Sequence, residues 1–338
     1  MKIKKLGLLL LVSAVMLLPA AGCGGGKEYD VIELVPEGAD MIVGIQLSEA
    51  ISKWDLYSEV EEETGMSERI EGAMDDFVGE MGVDPRDISD MVLFGDMSSM
   101  ETDEYMGFII AGDFGKGSLI GDIEKGSGMD FTTSKYGDYT LYTDQQGQGA
   151  VVIINSKMII IGSVAAVKDC IDVAGGKVER VSGTVLTTYN ELGDAMLRLA
   201  MVIPEEDRGS LTEETAGAPM PLATEAFADM ETLGLAVDQG ADVMTIEANL
   251  SFGGAQSAED AADAIRGMID MVGVMSPERE TKDLLDRMEI RASGSRVYIS
   301  FEISLSELEE LAGSFVPDVS SFIEPPEMPE MPDMPESD

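Results

Sequence analysis

The sequence predicts an α+β protein of two similar halves, each a largely antiparallel sheet with helices packed on it. Three observations predict it. Short β-branched runs follow one another through turn signals too closely for helical crossovers, as at 139–162. Other stretches, such as 258–272, carry apolar residues at helical spacing. Finally, strand, helix, paired strands and helix recur in the same order in both parts of the chain.

The first half, 30–178, opens with VIELVP and DMIVGIQL, both read as strands. Ser48 is the expected cap of a helix beginning EAISKW, and a second helix is expected at 67–81. Strands follow at 91–94 and 105–114, then at 139–143, 150–155 and 158–162. The stretch GAVVIINSKMIIIGSVAAV is apolar, but Asn155-Ser156-Lys157 in its middle predicts a hairpin and not a membrane span. VAAVKDCIDVAGG reads as an amphipathic helix with Val164, Val167, Ile171 and Ala174 on one face, and Cys170 as a small core residue.

A boundary falls near 176–184, and the second half covers 179–316. Strands are expected at 196–204, 232–238 and 242–252, with a polar loop at 205–221. The helix at 258–272 places Ala261, Ile265, Met268 and Val272 on one face, and Pro277 opens the next helix, through Met288. A hairpin of 289–293 and 296–304 turns at Ser293-Gly294-Ser295, and a helix at 305–312 closes the half. The remainder, 317–338, ends in EPPEMPEMPDMPESD, a Pro/Met/acidic tail with no means of forming a core.

The N-terminus carries the address. Lys2, Lys4 and Lys5 precede an apolar run at 6–18, and Pro19-Ala20-Ala21-Gly22 leads small residues up to Cys23. This segment resembles a bacterial lipobox, although Ala20 stands where such motifs more often carry Leu. The resemblance implies a lipoprotein signal peptide at 1–22, acylation of Cys23 as the mature N-terminus, and a place on the extracytoplasmic side of the cell membrane. Residues 23–29 then hold the lipidated cysteine and the tether Gly24-Gly25-Gly26. The apolar run is short for a membrane-spanning helix, which needs about 20 residues. A weaker resemblance, to uncharacterised exported proteins with duplicated α+β domains, rests on three short motifs. They are Val35-Pro36-Glu37-Gly38-Ala39-Asp40, Gly82-Val83-Asp84-Pro85 and Ile161-Gly162-Ser163. It implies architecture only.

Charge excludes some partners. With 22 basic and 65 acidic residues the net charge is −43, which repels nucleic acid and anionic headgroups alike. Removal of 1–22 takes away three lysines and no acid. The membrane is therefore an expected partner only through Cys23. A hydrophobic content of 44% is too high for a disordered acidic chain.

Catalytic motifs are missing. There is no histidine, so no His-based triad can form. No Gly-x-Ser-x-Gly or Ser-x-x-Lys occurs. Asp113-Phe114-Gly115-Lys116-Gly117-Ser118 follows a strand, but the glycine and lysine order fails a Walker loop. The sequon Asn249-Leu250-Ser251 sits in an expected strand. Metal candidates are two. Met328, Met331 and Met334 could offer sulfur to a soft ion, though a Pro-Glu-Met repeat produces that spacing by itself. Asp84, Asp87 and Asp90 would share a helical face and offer oxygen to Ca²⁺, though Asp84-Pro85 is more simply a helix start. No metal or cofactor is assigned. The expected function is a non-catalytic binding or scaffolding lipoprotein. The alternatives are the solute-binding lipoprotein of an importer and, third, a carboxylate-dependent hydrolase.

Overall fold

The computed structural model describes residues 30–58, 85–96, 105–114, 130–205, 208, 224–240, 242–275 and 279–307. The expected helix at 67–81, most of the loop at 205–221, Pro277 and the tail lie outside the described residues, as do the leader and tether.

Among the described residues twelve strands form one antiparallel sheet. In chain order they are β1 (Met41–Ile45), β2 (Ile88–Gly95), β3 (Met106–Gly112), β4 (Thr132–Tyr136), β5 (Tyr139–Thr143), β6 (Gly149–Asn155), β7 (Met158–Ser163), β8 (Leu197–Val202), β9 (Met230–Gln239), β10 (Val243–Phe252), β11 (Glu289–Ser293) and β12 (Arg296–Ser304). The helices are α1 (Leu47–Ser58), α2 (Val164–Ala174), α3 (Gly183–Glu191), α4 (Ala255–Met275) and α5 (Arg279–Leu285). Across the sheet the order is β11-β12-β10-β9-β8-β1-β2-β3-β7-β6-β5-β4.

The same plan occurs twice. β1-β2-β3 is a meander, and the last strand of the following block, β7, returns to pair with β3. β8-β9-β10 is a second meander, and β12 returns to pair with β10. The first block has four outer strands and the second has two. The expected boundary near 178 is not a break between sheets: β1 and β8 pair antiparallel, from Met41↔Met201 to Ile45↔Leu197.

Alternation decides what each face buries. On the front face Ile42, Phe94, Ile109, Val152, Ile160 and Ala200 join one cluster under α2 and α3. On the back face Ile88, Phe108, Ile110, Val151, Ile159 and Ile161 form a second, and Leu250, Phe252 and Val297 form a third under α4. Each large side chain withdrawn from water contributes roughly 1.5–3 kcal/mol. In α2 the buried residues are Ala166, Val167, Cys170 and Ile171, and Ser163 caps the helix by accepting from the Ala166 N–H at 3.3 Å. Cys170 is a core residue. Lys157 N–H donates to Asn155 Oδ1 at 2.8 Å, closing the β6–β7 hairpin where the sequence placed it.

Two expectations need correction here, and two elements come without one. VIEL is a 3-10 turn, because Asp30 accepts from the Ile32 N–H and bends the chain, leaving Pro36 a single bridge to Arg180. Ser48 is not the cap of α1: the helix starts at Leu47, with the Ala50 N–H on the Gln46 carbonyl. β4 was not expected, and neither was α3. Among the described residues no helix is long and apolar enough to cross a membrane.

Candidate binding surface

Beyond α3 the front face changes character. There β10 presents Thr245, Glu247, Asn249 and Ser251, β12 presents Arg296, Tyr298, Ser300 and Glu302, and β11 presents Glu289, Arg291 and Ser293. Their alternate neighbours point to the back face and its apolar cluster. The register lines up Arg291, Tyr298, Asn249 and Gly234 in one row, and Glu289, Ser300, Glu247, Ala236 and Arg198 in the next. Among the described residues no helix covers this strip; α3 borders it over β8, β9 and β1.

α3 reaches its place through close backbone approach. A Cβ on Gly44 would lie 1.9 Å from the Tyr189 hydroxyl, and one on Gly234 would lie 3.1 Å from Thr188 and 3.2 Å from Leu192. Glycine at both positions lets the helix settle onto the sheet. At its end Glu191 takes a 2.7 Å ion pair from Arg296, tying the helix to β12. Hydrogen bonds to Tyr298, then to Glu191, push the Arg296 guanidinium above its ordinary pKa. The Arg291 guanidinium lies 5.0 Å over the Tyr298 ring.

Where α3 ends, an open depression of about 320 Å³ is lined by Leu192, Asp194, Ala195, Ala236, Asp238, Thr245 and Glu247. Small side chains make its floor and three carboxylates its rim. Arg198, in the row beside Ala236, is turned away from it: Nη1 donates to the Gly193 carbonyl at 2.8 Å, and Cζ lies 4.4 Å over the Tyr189 ring. Burial pushes the Tyr189 phenol up, and Arg198 partly opposes this. The arrangement accepts hydrogen bonds from amines, guanidinium groups or backbone N–H groups.

The residues singled out from the sequence are elsewhere. Cys23, Asp84, Met328, Met331 and Met334 lie outside the described residues. Asp87 and Asp90 do not share a helical face. Asp87 ends the 3-10 turn Pro85–Asp87, and its carbonyl accepts from the Asp113 N–H at 2.8 Å. Asp90 is in β2, after an irregularity at Ser89 that sends Ile88 to the back face and Asp90 to the front. Among the described residues no group of three or more acidic or cysteine side chains is placed to hold a metal. Asp194, Asp238 and Glu247 were not singled out. Polar alternation along β9 and β10, opposite an apolar face, could have found Asp238 and Glu247; Asp194 lies in the turn between α3 and β8, where no such pattern marks it.

No family model matches the sequence, and no curated protein matches it. Among solved structures, crystal form III of TP0453 is similar, with a TM-score of 0.50 and 12% identity, over 85% of this chain and 99% of that one. Crystal forms I and IV of TP0453 give TM-scores of 0.44 and 0.45 at 11% and 12% identity. At this identity the likeness is one of fold. The chain is an α+β protein built on one large antiparallel sheet, and it shares that architecture with TP0453.

Proposed function

We propose that the chain is a lipid-anchored extracytoplasmic protein that binds or scaffolds and does not catalyse. The observation that carries this reading is the leader, in which Lys2, Lys4, Lys5 and an apolar run end in Ala21-Gly22-Cys23. One acyl chain holds a protein only marginally, so a diacylated sulfur is the kind of anchor that can keep so acidic a chain at a membrane. The binding role draws its support from the polar strip on β10, β12 and β11, which no described helix covers, with its carboxylate-rimmed depression beside α3. Its chemistry favours a cationic or donor-rich partner.

An importer's solute-binding protein closes two lobes about a hinge. The hydrogen-bonded ladder between β1 and β8 favours a rigid platform over such a clamp. The test is fractionation with mass analysis of the full chain made in a bacterium that lipidates its exported proteins. Wild type should pellet with membranes and carry a diacylglyceryl mass on the fragment beginning at Cys23. Cys23→Ala should release the protein. A membrane-bound C23A, or an unmodified wild-type sulfur, overturns the anchor.

A further inference from the structure

Among the described residues the sheet has two open edges, β4 and β11, and open edges template pairing with another chain. β4 is polar and exposed along most of its length, with Lys135 inside it, the ordinary way to discourage an added strand. β11 is different. Its sequence, Glu-Ile-Arg-Ala-Ser, alternates charge with apolar residues, and Ile290 and Ala292 pack on the cluster under α4.

The direction of its backbone groups follows from the turn. β11 and β12 are joined by the two-residue turn Gly294-Ser295, with Gly294 at a φ of 60°. In such a hairpin the closing pair, Ser293↔Arg296, exchanges hydrogen bonds, and every second pair does likewise. Arg291 and Glu289 therefore point their backbone groups at β12, while Ile290 and Ala292 point theirs outward. The outward Ile290 carbonyl is occupied: Arg266 of α4 reaches over the edge and donates Nη2 to it at 3.0 Å. Asp263, one turn earlier, holds the same guanidinium at 2.6 Å.

A second copy adding to this edge antiparallel must match outward groups to outward groups, which leaves three registers along the strand. Centred on Arg291, the register sets two guanidinium groups directly opposite, which is repulsive. Centred on Ile290, it sets Glu289 opposite Arg291 twice over, related by the dyad, as an isologous interface requires. That register needs both Ile290 carbonyls as acceptors, and Arg266 already holds them. An Ala292-centred register runs into the turn at Gly294.

We infer that β11 is a self-complementary edge, and that Arg266, braced by Asp263, keeps a second copy of this chain from pairing there. The experiment is sedimentation of the full chain in high salt, where general repulsion between copies is screened. Arg266→Ala, whose side chain is 46% exposed and so dispensable to the core, should self-associate at least tenfold more tightly than wild type, as a dimer. Adding Glu289→Arg should abolish the dimer by opposing two arginines, and the swap E289R/R291E should restore it. If R266A proves unfolded by circular dichroism, Asp263→Asn gives the same readout by loosening the brace. A folded R266A or D263N no more associated than wild type overturns the inference. So does a dimer indifferent to E289R.

Discussion

Gly44 shows how little room the front face leaves. It sits in β1 between Val92 and Arg198, and the Tyr189 hydroxyl stands where its Cβ would be. Tyr189 cannot swing away: it is 3% exposed, and Arg198 lies against its ring. Gly44→Ala should therefore cost about 1–3 kcal/mol, the range of overpacked cores, measured by urea unfolding. Tyr189→Phe in that background should recover part of the loss and not all of it, since the ring carbon would still sit 2.9 Å from the new methyl. A second buried group lies within α2. Burial pushes the Cys170 thiol well above its ordinary pKa, so its role is packing. A third site is polar: the Tyr136 hydroxyl donates to Asp172 at 2.7 Å, and Lys177 pairs with the same carboxylate at 2.6 Å. Those two hydrogen bonds, Lys177 first, draw the Asp172 carboxyl below its ordinary value.

Strands and helices were legible wherever periodicity and turn chemistry agreed. β5, β11 and β12 match their expected bounds because alternation runs to a glycine turn or to the boundary of a neighbouring helix at each end. β4 escaped notice because Thr-Thr-Ser-Lys-Tyr has no apolar face to alternate; it is an edge supported by β5 alone. α3 escaped because Thr184, Val185, Thr187 and Thr188 favour strand. Packing overrides that preference by burying Val185, Thr188 and Tyr189 at helical spacing. The helix expected at 305–312 begins where the sequence placed it, and its start is a capping box at Ser-x-x-Glu spacing. The Ser304 N–H donates to Glu307 Oε2 at 2.9 Å, the Glu307 N–H donates to Ser304 Oγ at 3.3 Å, and Arg287 adds a 2.8 Å contact. Ser304 first, then Arg287, lowers the Glu307 pKa from 4.5 to about 2. A carboxylate depressed in the folded state stabilises above its unfolded value, and the contribution drains away as pH falls toward about 2. Glu307→Gln should thus lower the thermal midpoint at neutral pH, and the two proteins' midpoints should converge as pH falls from 4.5 toward 2. A constant gap across that range would assign the loss to packing.

The join between the halves was the part the sequence could not show, because strand pairing across residues as distant as Ile42 and Ala200 leaves no local trace. Nor could it show that, among the described residues, no helix covers the front face of one half. Charge, in contrast, is legible directly, and it acts on the assembled sheet. The chain carries a net −43, and folding brings acids of the sheet and its helices closer together, so the folded state bears more self-repulsion than the expanded chain. Screening should relieve it: at 0.1 M salt the Debye length is about 10 Å, shorter than most distances across the sheet. The thermal midpoint should therefore rise with NaCl, a salt chosen because strongly excluded anions such as sulfate raise midpoints through apolar burial instead. KCl at equal concentration should act alike, since screening ignores ion identity. CaCl₂ at matched ionic strength separates the remaining possibility. An equal rise assigns the effect to screening, while a markedly larger rise assigns part of it to calcium bound by the protein. A midpoint indifferent to every salt would mean that the acids are spaced too far apart on the surface to strain the fold.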